Sequence, residues 1–463
     1  MGQSLESSAG LTQSSGQTVT AKTANYNFWL LWMANFINYA DRYAFLALGV
    51  YIQPEYHLSD FEYGLLATSF LLIYTISIFP LGLLADKIKR KDVVGGSIAF
   101  WSIATAFTAF APNFASLFAT RAALGAGEGG YFPASTSILT SAYPKDKRSI
   151  VMSRWNTGLL AGLAFGYIGA GILYGLFNNQ WRPVFYFFAI PGLLLALFIF
   201  LLKEMPRRNN EDDNIEAALV REGMASLWRR IADIWKINTL RIVVVLQALS
   251  FFVYGVTLVF ITPLFGRLFP NFHTVSPLTL VGAGTVIGGV IGLLGGGLVA
   301  DSLRKRYPGS RVLVSGWSFL ISAPLYAIAI IVLLAPLPIS DTVRILGIFF
   351  PLYIITVAML QVNSGPLTAV TQDVVTPLKQ GAAVGLTLLL SHFFGDLFSP
   401  AIAGFLSDML KNHTILGFQV TYANSPGVAF LITSVPVLFA AGVIGIWGAR
   451  FVKDDEQAAH INA

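Results

Sequence analysis

Residues 82–91 read GLLADKIKRK and residues 297–306 read GLVADSLRKR, so one pattern occurs twice in the chain. Each copy has a glycine, an aspartate four residues later and then a basic cluster within the next five residues. Each copy also ends a long apolar run, which places Asp86 and Asp301 at the ends of helices long enough to cross a membrane. A duplicated helix end of this kind indicates a membrane protein built from two similar halves.

Composition favours a membrane protein over a soluble enzyme. Of the 463 residues, 55% are hydrophobic and 12% are charged, whereas soluble domains carry about 25% charged residues. Apolar runs of about 20 residues, enough to cross roughly 30 Å of hydrocarbon, recur along the chain. We predict an all-α membrane protein with twelve transmembrane helices in two six-helix bundles. The spans lie near 27–52, 61–85, 92–111, 114–141, 149–176, 183–203, 241–268, 277–301, 311–335, 343–372, 379–408 and 426–451.

The positions of the basic residues predict the orientation. With both termini in the cytoplasm, 24 of the 30 Lys and Arg residues fall in cytoplasmic segments and 4 in outer loops. Cytoplasmic loops of membrane proteins carry this excess. The net charge of +6 therefore reflects topology, and we expect no nucleic-acid partner. We expect a multi-pass monomer in the inner membrane of the cell.

Five segments follow from these assignments. Residues 1–25 form a polar tail that we expect to be disordered. We do not interpret it as a signal peptide, because no basic region precedes a short apolar stretch. The two bundles occupy 26–203 and 241–452, and a cytoplasmic tail covers 453–463. The charged linker at 204–240 contains an amphipathic helix around 227–235, where apolar residues recur at helical spacing.

Charged residues within the spans are the strongest functional clue, because each costs roughly 2.5–3.5 kcal/mol at the centre of a helix. Span 1 carries Asn38, Tyr39, Asp41 and Arg42 near its middle. Asp41 and Arg42 are adjacent and point about 100° apart, so they must contact different neighbours or a cavity.

Span 4 places Arg121, Gly125 and Glu128 on one face, because seven residues make nearly two helical turns. The bare glycine surface between the charges leaves space for a ligand or for a partner helix. A functional pair is favoured over a purely structural ion pair.

Span 11 carries His392, Asp396 and Ser399 just before Pro400. Histidine titrates near neutral pH, so a proton or headgroup role is as well supported as simple helix packing.

The duplicated motif predicts a conformational gate formed by Gly82, Asp86, Arg90 and Asp301. A carboxylate at the C-terminal end of a helix faces the negative end of the helix dipole, which disfavours it by about 0.3–1 kcal/mol. Asp86 therefore requires a basic side chain or a helix N-terminus as partner, and we expect that contact to differ between conformations. A solvated loop that only sets topology is the alternative.

Enzyme signatures are missing from the sequence. It contains no cysteine, its glycine runs lack the Lys-Ser/Thr of a nucleotide-binding loop, and its five histidines are scattered. We therefore expect no catalytic residues, no metal and no cofactor. An intramembrane lipid-modifying enzyme remains a remote alternative.

Three stretches together resemble the Spinster family of the major facilitator superfamily. They are Asn38–Tyr43 in span 1, Arg121–Glu128 in span 4, and Ser391–Asp408 in span 11. The duplicated motif resembles the signature of the superfamily, with Lys89 in place of its usual small residue. The span 4 pattern alone is less specific, because organic-anion symporters share it.

This resemblance implies an alternating-access transporter that moves an amphipathic anionic or zwitterionic lysolipid together with protons. Proton coupling would involve Asp41, Glu128, His392 and Asp396. Substrate binding would involve Asn38, Tyr39, Arg42, Arg121, Glu128 and Ser399. A proton-coupled symporter of a small organic anion, such as a sugar acid, is the alternative that uses the same arginines.

Overall fold

The computed structural model describes residues 21–202, 204, 232, 235–272, 274, 276–304, 306–376, 380–415 and 417–461. In this part the chain forms twelve helical spans, each matching one predicted from the sequence. The first six are Ala21–Glu55, Asp60–Lys87, Arg90–Phe110, Phe114–Glu128 with Tyr131–Ala142, Lys145–Leu176, and Arg182–Phe200.

The second six spans begin after the linker. Spans 7–9 are Asn238–Leu268, Pro277–Arg304 and Ser310–Leu334. Span 10 joins a π-helix, Val343–Phe349, to Phe350–Gln361 and Ser364–Asp373, and span 11 joins Gln380–Phe394 to Ser399–Leu410. After a hairpin of Thr414–Ile415 and Phe418–Gln419, span 12 runs over Ser425–Gly448 and continues as Ala449–Phe451 and Val452–Ile461.

Ten of the spans are long and apolar enough to cross a membrane by themselves. Spans 1 and 4 are not among these ten, and they are the spans that carry Asp41, Arg42, Arg121 and Glu128. Span 4 is also interrupted directly after Glu128. Their charges therefore need partners from the neighbouring spans before they can be held in hydrocarbon.

The two halves have the same internal packing. Span 1 packs on span 5, span 2 on span 4 and span 3 on span 6, while span 7 packs on span 11, span 8 on span 10 and span 9 on span 12. Between the halves, span 1 contacts span 7, span 2 contacts span 11 and span 5 contacts span 8. This arrangement confirms the predicted fold of two six-helix bundles.

The ends of the bundles differ from the predicted boundaries. Span 1 already begins at Ala21, and a terminal helix, Val452–Ile461, occupies most of the predicted tail. Residues 1–20, and most of the linker with its predicted amphipathic helix, lie outside the described residues. We call the side that holds Ala21 and Ile461 the terminal face, and the side that holds the span 1–span 2 connection the distal face.

Glycines of span 5 allow it to approach span 1 closely. A Cβ atom at Gly158 would lie 3.0 Å from the Trp32 carbonyl oxygen, and one at Gly166 would lie 2.7 Å from the Ala40 carbonyl oxygen. Small residues at a spacing of four let helix backbones meet in lipid. The predicted packing role of these glycines is confirmed.

We expect Gly166→Ala to destabilise the protein by about 1–3 kcal/mol, because the added methyl group overpacks the span 1–span 5 contact. Gly175 lies on the same helix, and a Cβ atom there would have nothing within 4 Å. Gly175→Ala is therefore the matched control and should not lower stability. Thermal unfolding of both purified variants measures the difference, and equal unfolding temperatures would contradict the packing role.

Candidate functional site

The two adjacent charges of span 1 contact different spans, as their angular separation predicts. Asp41 accepts a hydrogen bond from the Thr105 hydroxyl of span 3, whereas Arg42 forms an ion pair with Glu128 of span 4. Both carboxylates are 1% exposed. Within the described part of the chain, each has one buried oxygen, Asp41 Oδ1 and Glu128 Oε1, without a hydrogen-bond partner.

Aromatic rings hold both guanidinium groups beside these acids. Arg42 and Arg121 lie 4.7 and 5.1 Å from the centre of the same Phe70 ring of span 2. The Arg42 guanidinium is also 5.2 Å from the centre of the Tyr74 ring, and the Arg121 guanidinium is 4.2 Å from the centre of the Phe45 ring. A desolvated cation over an aromatic face gains up to about 2 kcal/mol. We call Asp41, Arg42, Arg121 and Glu128 the central cluster.

Other predicted residues of spans 1 and 4 support the central cluster. Asn38 is buried, and the centre of the Tyr39 ring lies 4.9 Å from the Arg42 guanidinium. A Cβ atom at Gly125 would lie 3.0 Å from the Tyr74 backbone nitrogen. The sequence left this glycine surface open to a ligand or to a partner helix. In the structure a partner helix occupies it, since span 2 fills the space between Arg121 and Glu128.

The predicted residues of span 11 form a second, separate group. His392 Nδ1 lies 3.0 Å from both carboxylate oxygens of Asp396, and its ring stacks on Phe251 at 4.2 Å. Ser399 is buried against Gly255 of span 7. Among the described residues, no hydrogen bond or ion pair joins this group to the central cluster.

The duplicated motif on the terminal face makes contacts within each half. Arg90 is buried, contrary to a solvated loop, and its guanidinium binds Glu204 at 3.1 Å and the Ser141 hydroxyl at 2.8 Å. Gly82 packs near Pro133. The side chain of Asp86 lies outside the part of the chain that the structure describes.

The second copy of the motif forms a network of ion pairs. Asp301 binds Arg311 at 2.9 Å, and Arg311 also pairs with Asp373. Arg304 joins the network through Asp373 at 3.1 Å and Glu456 at 3.4 Å. In this conformation Asp301 is therefore held by its own half of the molecule.

A buried charge on the distal face joins the two halves. The Asp60 carboxylate accepts hydrogen bonds from Arg267 of span 7 at 2.5 Å, from the Ser407 hydroxyl at 2.5 Å and from Gln53 at 2.7 Å. Its side chain is fully buried. The ion pair between Asp60 and Arg267 thus connects the start of span 2 to the opposite bundle.

The end of span 11 caps the start of span 2. The carboxylate of Asp408 accepts hydrogen bonds from the backbone N–H groups of Asp60 at 3.1 Å and Phe61 at 2.7 Å. A carboxylate at a helix N-terminus satisfies donors that have no partner within the helix and interacts favourably with the dipole. Lys411 pairs with Asp408 as well. We call Asp60, Arg267, Ser407, Asp408 and Lys411 the distal network.

All hydrogen bonds and ion pairs that connect described residues of different halves lie in the distal part of the molecule. Besides the distal network, the Tyr167 hydroxyl donates to the Leu258 carbonyl and the Thr262 hydroxyl donates to the Leu46 carbonyl, each at 3.0 Å. The distal face is therefore closed in this structure.

Sequence reasoning did not identify the distal network or Thr105. Ser59 and Glu62 form a capping box, and this Ser-x-x-Glu signal could have placed Asp60 in the first turn of a helix. It could not have identified Arg267, which lies 207 positions away. No sequence signal distinguishes Thr105 from the other hydroxyl residues of span 3.

Known proteins share this architecture. A sequence profile of the Major Facilitator Superfamily matches residues 31–400. Protein spinster homolog 3 of Danio rerio is 26% identical over 455 residues, covering 92% of this chain and 85% of its own. Protein spinster of Drosophila melanogaster is 24% identical over 386 residues, covering 83% of this chain and 62% of its own.

A solved structure is also similar. It is the bacterial homolog of the human lysosomal transporter Spinster in an inward-facing, occupied conformation. The TM-score is 0.74 at 21% identity, with 95% of this chain and 98% of that chain covered. These relatives confirm the resemblance to the Spinster family that the motifs in spans 1, 4 and 11 predicted. The matching superfamily and the solved neighbour are transporters and not enzymes.

We expect Asp60→Asn to weaken closure of the distal face by about 3–5 kcal/mol, because it leaves Arg267 buried without its counter-charge. A cysteine introduced at Thr262 reports on this face, since Thr262 is fully buried and the chain has no native cysteine. Its labelling by a membrane-impermeant maleimide in nanodiscs should be more than about tenfold faster in the variant, as 1.4 kcal/mol is tenfold.

Glu62→Gln is the control for this experiment. Glu62 lies in the same helical turn but caps its own helix through the Ser59 backbone N–H at 2.9 Å. It should leave the labelling rate unchanged. An unchanged rate in Asp60→Asn itself would mean that apolar packing alone closes the distal face.

Proposed function

The chain belongs to the Major Facilitator Superfamily, and we propose that within this superfamily it is a proton-coupled transporter of an amphipathic anionic or zwitterionic lysolipid. Transport would proceed by alternating access between the two bundles. The observation that carries this proposal is the central cluster, in which the half-buried Arg42 lies with the buried side chains of Asp41, Arg121 and Glu128 at mid-depth.

Charge balance in the central cluster supports proton coupling. With both carboxylates ionised, Asp41 and Glu128 neutralise Arg42 and Arg121, and a proton on Asp41 leaves one positive charge in excess. A buried excess charge attracts an anionic headgroup far more strongly than it would in water. Proton and substrate binding would therefore assist each other. Asp41 suits the proton better than Glu128, because Glu128 is ion-paired with Arg42, whereas the only donor to Asp41 among the described residues is the neutral Thr105 hydroxyl.

The other predicted residues take supporting roles in this proposal. Arg42 and Arg121 would bind the headgroup, with Asn38 and Tyr39 beside it, and Glu128 would release Arg42 when the headgroup arrives. His392, Asp396 and Ser399 would act from the opposite half, where the histidine–aspartate pair can hold a second proton. The rings of Phe70 and Tyr74 make this surface both cationic and apolar, which matches a lysolipid better than a small carboxylate.

Orientation follows from the basic residues. The terminal face carries the clusters at 87–91 and 304–306, and such clusters are retained in the cytoplasm. We propose that both termini are cytoplasmic, that the membrane is the inner membrane of the cell, and that the structure, closed at the distal face, represents the inward-facing state.

We expect Asp41→Asn to abolish substrate accumulation driven by a pH gradient while substrate exchange persists, since the amide preserves shape but cannot take up the proton. Uptake and exchange in proteoliposomes, with lysolipids and small carboxylates as substrates, measure the two activities. Asp341→Asn, an exposed acid outside the central cluster, should behave as wild type. Accumulation by Asp41→Asn that still follows the pH gradient would contradict this role.

We expect both Arg42→Ala and Arg121→Ala to weaken headgroup binding by at least about 1.5 kcal/mol, the low end for charge-assisted hydrogen bonds. Both variants should also lower the unfolding temperature, because each removes a counter-charge of the buried carboxylates Asp41 and Glu128. Lysine should restore little binding at a bidentate site.

Calorimetric titration with a lysolipid and with a sugar acid separates the substrate classes. Arg306→Ala, an exposed residue of the terminal face, is the control. Unchanged affinity in both central variants would make the arginines structural. Preference for the sugar acid would support the small-anion symporter.

A further inference from the structure

A cavity of about 560 Å³ lies on the terminal face, outside the central cluster. It is enclosed by the start of span 1, the end of span 4 and the start of span 5. Its lining combines aromatic and basic side chains, which include Phe28, Trp29, Trp32, Tyr143, Lys147 and Arg154. We call it the interfacial cavity.

The two cations of the interfacial cavity lie on the same face of span 5. Lys147 and Arg154 are seven residues apart on span 5, which is nearly two turns of helix, so they lie about 10 Å apart along one face. Both are exposed, and neither forms an ion pair with an acidic side chain in the described part of the chain. Burial raises the pKa of Tyr143, and the nearby charge of Arg154 partly offsets the rise. Among the described residues, no acidic side chain neutralises this positive charge of the cavity.

An aromatic stripe runs from the interfacial cavity toward the middle of the span. The rings of Trp29 and Trp32 are 5.8 Å apart, Trp32 stacks on Phe36 at 5.9 Å, and Phe36 contacts Phe165 of span 5 at 5.4 Å. From Trp29 to Phe36 the helix rises about 10 Å. Trp29 is 56% exposed and Phe165 is 37% exposed, so the stripe is accessible along part of its length.

We propose that the interfacial cavity binds an anionic membrane lipid, with its phosphate between Lys147 and Arg154 and an acyl chain along the aromatic stripe. Soluble phosphate would use only the cations. A lipid uses both features, because its charge lies at the interface and its chain extends into the hydrocarbon. Basic pockets on the cytoplasmic side of membrane proteins bind such headgroups, and tryptophan is enriched at this depth. The site does not depend on what the central cluster transports.

The test uses the purified full-length protein in phosphatidylcholine nanodiscs, with bound phosphatidylglycerol counted by native mass spectrometry. The variant Lys147→Gln/Arg154→Gln should bind phosphatidylglycerol at least about tenfold more weakly, because each basic residue near the surface contributes to attraction of anionic lipid. The matched control Arg306→Gln/Lys453→Gln removes two exposed cations of the same face and should bind as wild type.

Further measurements distinguish a lipid headgroup from free phosphate, and they distinguish loss of the binding site from misfolding of the variant. Glycerol phosphate, which has the headgroup and no chain, should bind at least about a hundredfold more weakly than the lipid, since burial of several methylenes is lost. If the double variant unfolds at a lower temperature than wild type, the single variant Lys147→Gln must still show weaker lipid binding. Equal lipid binding by the cavity variants and wild type, or glycerol phosphate that binds as tightly as the lipid, would each overturn the proposal.

Discussion

Charge in hydrocarbon requires a partner, and this requirement fixes how the first bundle is assembled. Arg42 must meet Glu128, and Asp41 needs the Thr105 hydroxyl, so span 1 is held against spans 4 and 3 at one depth. Phe70 lies between the two guanidinium groups and brings span 2 into the same arrangement. Breaking such a pair by removing one partner costs about 3–5 kcal/mol. Four spans are thus positioned by one set of charges.

Close backbone contact supplies the rigidity that this arrangement needs. Span 5 meets span 1 at Gly158 and Gly166, and span 8 meets span 10 at Gly288, where a Cβ atom would lie 2.6 Å from the Ile354 carbonyl oxygen. Because lipid offers no hydrophobic gain for joining apolar helices, tight van der Waals contact takes that role. Glycine therefore lets the helices of each bundle pack in direct backbone contact.

The sequence was sufficient to predict the twelve spans and the residues of the central cluster, because length, hydropathy and the cost of buried charge are local properties. It left two uses open for the Gly125 surface, and it could not supply Thr105 or Arg267 as partners. Helical periodicity gives the face on which a residue lies, whereas its partner depends on how helices distant in the chain are arranged. Asp60 illustrates this limit, since its ligands come from spans 1, 7 and 11.

Span 2 connects the central cluster to the distal network. Its first residue, Asp60, holds the opposite bundle, and its Phe70 and Tyr74 rings hold the guanidinium groups about three to four turns further on. A helix of this length transmits displacement because its backbone hydrogen bonds resist local bending. In the proposed function, a headgroup that drew Arg42 or Arg121 away from Phe70 would remove a contact from the same helix that holds the distal network. Span 2 is therefore the element that physically connects the central cluster to the distal network.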